Sequence, residues 1–268
     1  MSGPGAGGLG KPSRAVSAVM AVLFGIWLMF SVGVNWAGAS PEIFTLLCGS
    51  TALILEGQIW RLFTAPLLHD PGGIGHIFSV LLGLYFLTPS LEAQWGPKKL
   101  LQFLTGSALF AYLCQLVLVL LLPASVGHKL VGAYWFGAIP MLEAIAIAFA
   151  LNFKGQTVRL MFVLPVSSNG LVYFVIGISV LMVITTSVTP AGLLAPFGGI
   201  AAGFLFGAPS PSPLRRLALR LKKSRLEKEA SRLQADRTAR VARSGLSVIK
   251  GGRDDVENDR GPDGRWMN

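Results

Sequence analysis

Long apolar runs constrain this chain more than any other feature. Six stretches lack Lys, Arg and Asp, and all but one lack Glu: Ala15 to Trp36, Gly75 to Leu91, Leu100 to Leu122, Val131 to Leu151, Gly170 to Val188 and Ala191 to Ala208. A bilayer core about 30 Å thick takes about 20 helical residues to cross. Backbone polar groups in lipid must bond within their own segment, so each run is predicted helical. The second run is short, and the fourth carries Pro140, expected to kink it, and Glu143. The fold class is an all-α membrane protein, a bundle of six transmembrane helices.

Composition agrees, with 52% hydrophobic residues, 13% charged ones and a formal net charge of +10. Such a positive balance suits nucleic acid only if the cations lie on a folded surface. Here 15 of the 23 Lys and Arg follow Pro213, in a tail better matched to anionic lipid headgroups; no nucleic acid partner is expected. The remaining cations alternate as cytoplasmic loops require. With the N-terminus inside, Lys11, Arg14, Lys98, Lys99, Lys154 and Arg159 fall on the cytoplasmic side, and only Arg61 and Lys129 outside. Six crossings also return the basic tail to the cytoplasm. The chain therefore divides into a short cytoplasmic arm (1–14), a membrane domain (15–208) and a cytoplasmic tail (209–268). The tail's apolar residues Leu214, Leu217, Leu221, Leu226 and Leu233 predict a basic amphipathic helix to about Val241, followed by a segment too polar to fold. The short arm, without an organellar targeting signal, points to a bacterial inner membrane. Ala37-Gly38-Ala39-Ser40 mimics a signal-peptide cleavage site, but the run before it is long enough to span and is expected to be retained.

The connection from Ala37 to Ile74 is too long for a tight turn. Its Trp60 and Arg61 suit headgroup depth. Arg159 to Pro165 reads as a short interfacial stretch that does not cross, and Pro123 and Gly127 predict a short, tight loop between the third and fourth spans. Cys48 and Cys114 show no metal or redox spacing and read as small buried hydrophobes. Neither cofactor nor metal is expected.

Five segments, in order, carry a resemblance: Gln58-Ile-Trp-Arg-Leu-Phe-Thr-Ala-Pro-Leu-Leu-His69; His76 at the start of the second span; Leu84-Tyr-Phe-Leu-Thr-Pro-Ser-Leu-Glu-Ala-Gln-Trp-Gly96 with Glu92; Arg159 to Pro165; and Gly198-Gly-Ile-Ala-Ala-Gly203. Together they resemble the rhomboid family of intramembrane serine proteases. Trp60, Arg61, His76, Glu92, Gly199 and Gly203 are the retained motif positions.

The resemblance implies a serine on the fourth span, activated by a histidine on the sixth. In this chain Tyr134 stands in the serine's frame, followed by Trp135, and no serine occurs between Ser125 and Ser167. Pro196 stands in the histidine's frame, two residues before the paired glycines, and His128 is the last histidine. The family's oxyanion asparagine, four residues after His76, is replaced by Val80. These departures imply a pseudoprotease that binds transmembrane segments of client proteins. The bulk of Tyr134 and Trp135 raises the alternative of a sealed bundle.

The family-level rival is intramembrane serine proteolysis. Ser79, one turn from His76, is the local hydroxyl, but such a residue ordinarily bonds a carbonyl one turn back. His69, His76 and His128 share one side of the membrane without a recognisable zinc spacing. Glu143, the ionisable residue deepest in a span, raises transport as a second alternative, set against a structural bond to a neighbouring helix. Gly199, Gly203 and Gly207 predict close approach of another helix to the sixth span, foremost the fourth span of the same chain and otherwise a second copy.

Overall fold

The computed structural model describes residues 12–155, 157–160, 164–185, 189–209 and 213–245. In chain order it comprises α1 (Arg14–Asn35), the short helices α2 (Pro41–Leu47), α3 (Thr51–Leu55) and α4 (Arg61–Thr64), and a 3-10 turn (Ala65–Leu67). These are followed by α5 (Ile74–Trp95), α6 (Pro97–Leu121), α7 (Ala124–Leu130), α8 (Ile139–Asn152), strands β1 (Thr157–Leu160) and β2 (Leu164–Ser167), α9 (Ser168–Ile184), α10 (Ala195–Phe206) and α11 (Pro213–Ser244). Most of the arm (1–11), residues 186–188 of the fifth run, 210–212, and the polar end of the tail (246–268) lie outside the described residues.

Each of the six apolar runs contains a helix, but the lengths differ. α1, α5 and α6 are long and apolar enough to cross a bilayer. α8, α9 and α10 have 14, 17 and 12 residues, shorter than the ~20 that span a bilayer core. The fourth run is not helical from its start. Residues 131–138 run as an irregular segment before α8, and Pro140 sits in the first turn of α8, where its missing N–H costs nothing and no kink results. Likewise the predicted tight loop after α6 is instead α7 followed by that segment, and α10 begins only at Ala195, with Pro196 in its first turn. The stretch read as interfacial is an antiparallel pair, β1 with β2, Thr157 facing Ser167; residues 161–163 lie outside the described ones.

Local chemistry sets the helix ends. Ser13 accepts from the N–H groups of Ala15 and Val16 at 3.1 and 3.3 Å, capping α1. The same hydroxyl donates to Glu92 Oε1 at 2.5 Å, tying α1 to the end of α5. Gly96, at φ 80°, turns the chain directly into α6.

α8 is the centre of the bundle, buried along nearly its whole length and packed against α5, α6, α9 and α10. Its alanines let neighbours approach, and α10 comes closest. An added Cβ at Gly199 would lie 2.1 Å from the Pro140 carbonyl oxygen, at Gly203 2.6 Å from Ile147 Cβ, and at Gly207 2.5 Å from Ala148 Cβ. The glycine stripe of α10 is therefore filled by α8 of the same chain. Asn152 Nδ2 completes the contact by donating to Ala148 O and Gly207 O at 2.7 and 2.6 Å.

The tail helix α11 forms a compact unit from Leu217 onward. It continues slightly past Val241, to Ser244, and its Leu217, Leu219, Leu221, Leu226 and Leu233 are exposed.

Candidate functional site

The irregular segment 131–138 enters the bundle with its backbone hydrogen-bonded from Trp135 to Gly137, as non-helical chain at a buried place requires. Trp135 and Gly49 exchange both backbone hydrogen bonds, at 2.8 and 2.9 Å. Phe136 N donates to Pro190 O at 2.8 Å and Gly137 N to Ala65 O at 2.9 Å. Tyr112 Oη donates to Gly137 O at 2.6 Å, and Gln115 Oε1 accepts from Ala195 N at 2.9 Å. One face of α6 thus holds both the entry to α8 and the start of α10. Tyr112 and Gln115 were not singled out from sequence; a tyrosine and a glutamine three residues apart inside an apolar run were the available signal.

Two side chains and one glycine backbone meet His76 at this junction. The His69 ring lies 4.9 Å from its ring and the Phe136 ring 6.2 Å. Gly137, at φ 117°, approaches so closely that an added Cβ would sit 2.4 Å from His76 Cε1. Phe136 also packs edge-on against Phe44, with centroids 5.0 Å apart. His69 is 1% exposed. Burial first, then the charge of His76, pushes it down to about 3, against a smaller opposing pull from the Leu67 backbone. No ring nitrogen of either histidine has a hydrogen-bond partner among the described residues. Val80, one turn beyond His76, is fully buried, and Pro196 is buried at the start of α10.

A model of the Rhomboid domain matches residues 56–211, more than half of the chain. The chain belongs to the rhomboid family. It is an integral membrane protein, and its apolar helices fit contact with the lipid bilayer. No curated protein matches this rhomboid chain.

Within the rhomboid domain the residues that carry the sequence resemblance have distinct structural jobs. Arg61 is enclosed by protein and does not face outward. It is 3% exposed, with Nη1 donating to Thr45 O and Cys48 O at 2.7 and 2.6 Å and Nε to Gln58 Oε1 at 2.8 Å. A buried guanidinium with three acceptors pins α2 to α4, a use of arginine that an exposed anchor does not explain. Trp60, next to it, is 45% exposed. Glu92 holds Ser13, and Gly199 and Gly203 face α8.

The other sequence candidates make contacts of their own. Tyr134 is half-exposed, whereas Trp135 is fully buried and stacked on Tyr112. Ser79 is exposed, and its hydroxyl donates to Gly75 O at 2.8 Å. Glu143, 8% exposed, accepts from Ser179 Oγ at 3.0 Å, linking α8 to α9. Among the described residues no three His, Cys, Asp or Glu side chains cluster to hold a metal; the side chain of His128 lies outside them. Cys48 is buried and Cys114 half-buried.

Proposed function

We propose that this rhomboid-family chain is a pseudoprotease, a membrane scaffold that binds transmembrane segments of client proteins and does not cut them. The observation that carries the proposal is the surroundings of His76: His69, Phe136 and Gly137, without an aliphatic hydroxyl among them. Peptide hydrolysis by this family's chemistry takes an activated serine and an imidazole base. Phe136, rather than Tyr134, stands beside His76, so we assign the lost serine's position to Phe136, two residues on from Tyr134. Neither is a serine, Pro196 offers no base, and Val80 offers no oxyanion donor. Losing one such donor alone typically costs about 100-fold or more in rate.

With Trp135 and Phe136 filling the interior, a client is left the outer apolar surface. Ile74 and Phe78 of α5, and Tyr173, Phe174, Leu181 and Ile184 of α9, are exposed, and α8 stands packed against both helices. Six crossings remain the proposed topology. The shorter α8 and α10 are preceded by irregular chain, Trp135 to Ala138 and Ala191 to Leu194, that is mostly buried and hydrogen-bonded to other parts of the fold, which extends their reach. Both termini then lie in the cytoplasm, most simply that of a bacterium, with 15–208 as the membrane domain and 209–268 as a basic tail meeting anionic lipid. Cysteine-accessibility mapping at Lys98, Lys129 and Lys154 tests the topology: the first and third should label from the cytoplasm and the second from outside.

Photo-crosslinking from Phe78 and Tyr173 in native membranes tests client binding. Recovery of the same transmembrane proteins from both sites is expected. Recovery of none, together with cleavage of a membrane-anchored model peptide by the purified chain, would replace the proposal with intramembrane proteolysis, the reading that family membership favours. Fluorophosphonate labelling of Ser79 or Ser125 would identify the nucleophile in that case.

A further inference from the structure

An apolar groove of about 620 Å³ opens between α1 and α6: it is lined by Ala18, Val22 and Leu23 of α1, by Leu104 and Ala108 of α6, and is closed at one end by Leu62 and its neighbours in α4 and the 3-10 turn. Its α1 wall runs from Ala15 to Leu23, which at 1.5 Å per residue is about 13 Å. One leaflet of a hydrocarbon core about 30 Å thick has nearly that depth. The groove is therefore as deep as one leaflet's acyl chains and apolar throughout its length.

The open end carries charge. Arg14 precedes Ala18 by four residues and Val22 by eight, and Lys98 precedes the lining residues Leu101 and Thr105 by three and seven. At helical periodicity both cations belong to the faces that line the groove. Both are exposed, and neither is engaged by a carboxylate among the described residues. Glu92, at the end of α5, is buried and holds Ser13. Lys99, one residue on, turns elsewhere, its Nζ 4.8 Å over the Trp95 ring.

We infer that this groove is a binding site for an anionic phospholipid, which seats an acyl chain between α1 and α6 and pairs its headgroup phosphate with Arg14 and Lys98. Apolar depth matched to a leaflet and two cations at the level of the headgroups select a lipid over a soluble anion, which would have no use for the groove, and over a neutral lipid, which would have less use for the cations. The residues of the site belong to the membrane domain, and none is in the basic tail. It rests on membrane insertion of α1 and α6, and not on the absence of catalysis.

Native mass spectrometry of the full chain released from detergent, titrated with phosphatidylglycerol and with phosphatidylcholine of the same chains, tests the site. The expected result is one retained phosphatidylglycerol per chain and weaker retention of phosphatidylcholine. Arg14→Gln with Lys98→Gln should lower phosphatidylglycerol retention about tenfold or more. Ala18→Trp, at an exposed position that fills the groove outside the core, should lower retention of both lipids. Changing Arg220, Lys222, Lys223 and Arg225 of the tail to Gln should leave the tightly held lipid in place. Retention that survives both groove variants, that follows the tail instead, or that is equal for the two lipids overturns the inference. Size-exclusion profiles and helical circular dichroism of each variant separate loss of the site from loss of the fold.

Discussion

The indole of Trp135 lies on the phenol of Tyr112, with centroids 4.5 Å apart and planes 19° from parallel. The same indole closes on Gly49, where an added Cβ would fall 2.1 Å from Cε3. Three separate pieces of chain, the first connection, α6 and the segment before α8, are thus clamped through one ring. Gly49→Ala should destabilise by about 1–3 kcal/mol through overpacking, and Trp135→Ala by about 3–5 kcal/mol through the cavity it leaves. Thermal unfolding in detergent measures both.

Arg61 serves as the clamp of the first connection. Replacing it with Ala orphans the carbonyls of Thr45 and Cys48, at about 1–3 kcal/mol for each acceptor left dry. The neighbouring Cys48 reports the change. Burial pushes its thiol up to about 12, with Arg61 opposing, so it should resist maleimide near pH 8 in the parent chain; Arg61→Ala also removes the cation that favours the thiolate, so the faster labelling expected of that variant reports opening of the connection around Cys48 and not an easier ionisation. Arg61→Lys should label at an intermediate rate, because an ammonium lacks the fork that reaches all three acceptors.

His69 should make the fold sensitive to acid. Its ring is held down to about 3 from an ordinary 6.5, so between those values the unfolded chain binds a proton that the folded chain refuses. Its contribution to stability is complete above about pH 6.5 and declines as the pH falls toward 3, by up to about 1.4 kcal/mol per pH unit. Unfolding midpoints at about pH 7.5 and about pH 5 should differ less in His69→Gln than in the parent chain.

Gly199→Ala should be among the most damaging small substitutions. Its new methyl would meet the Pro140 carbonyl oxygen at 2.1 Å, a backbone atom that no rotamer change removes. The expected cost is about 1–3 kcal/mol or more, with α10 pushed off α8. Gly177→Ala in α9, where an added Cβ meets nothing within 4 Å, should be neutral or slightly stabilising. The contrast between the two variants, read by thermal unfolding, separates packing from helix propensity.

The ends of α1 fall within one residue of its apolar run and those of α6 within three, because short-range chemistry ends both helices: Ser13 caps α1, and Gly96 and Pro97, which the apolar run did not include, start α6. The start of α8 was not. Val131 to Ala138 is as apolar as a helix, and only its exchange of hydrogen bonds with Gly49, Ala65 and Pro190 makes an irregular path satisfactory. The same holds for Arg61, which reads as an interface anchor until the carbonyls of Thr45 and Cys48 fold back over it.

From its sequence alone the chain was committed to a membrane, to apolar helices and to the rhomboid motif order, because hydropathy and local caps act over a few residues. The lack of a serine between Ser125 and Ser167, and of any histidine beyond His128, was equally a property of the sequence. Only tertiary structure decided that Phe136 rather than Tyr134 stands beside His76, and that Gly199, Gly203 and Gly207 pack on α8 while Gly198 packs on α6. Those are contacts between residues far apart in the chain, set by which surfaces fit once the backbone's polar groups have found partners.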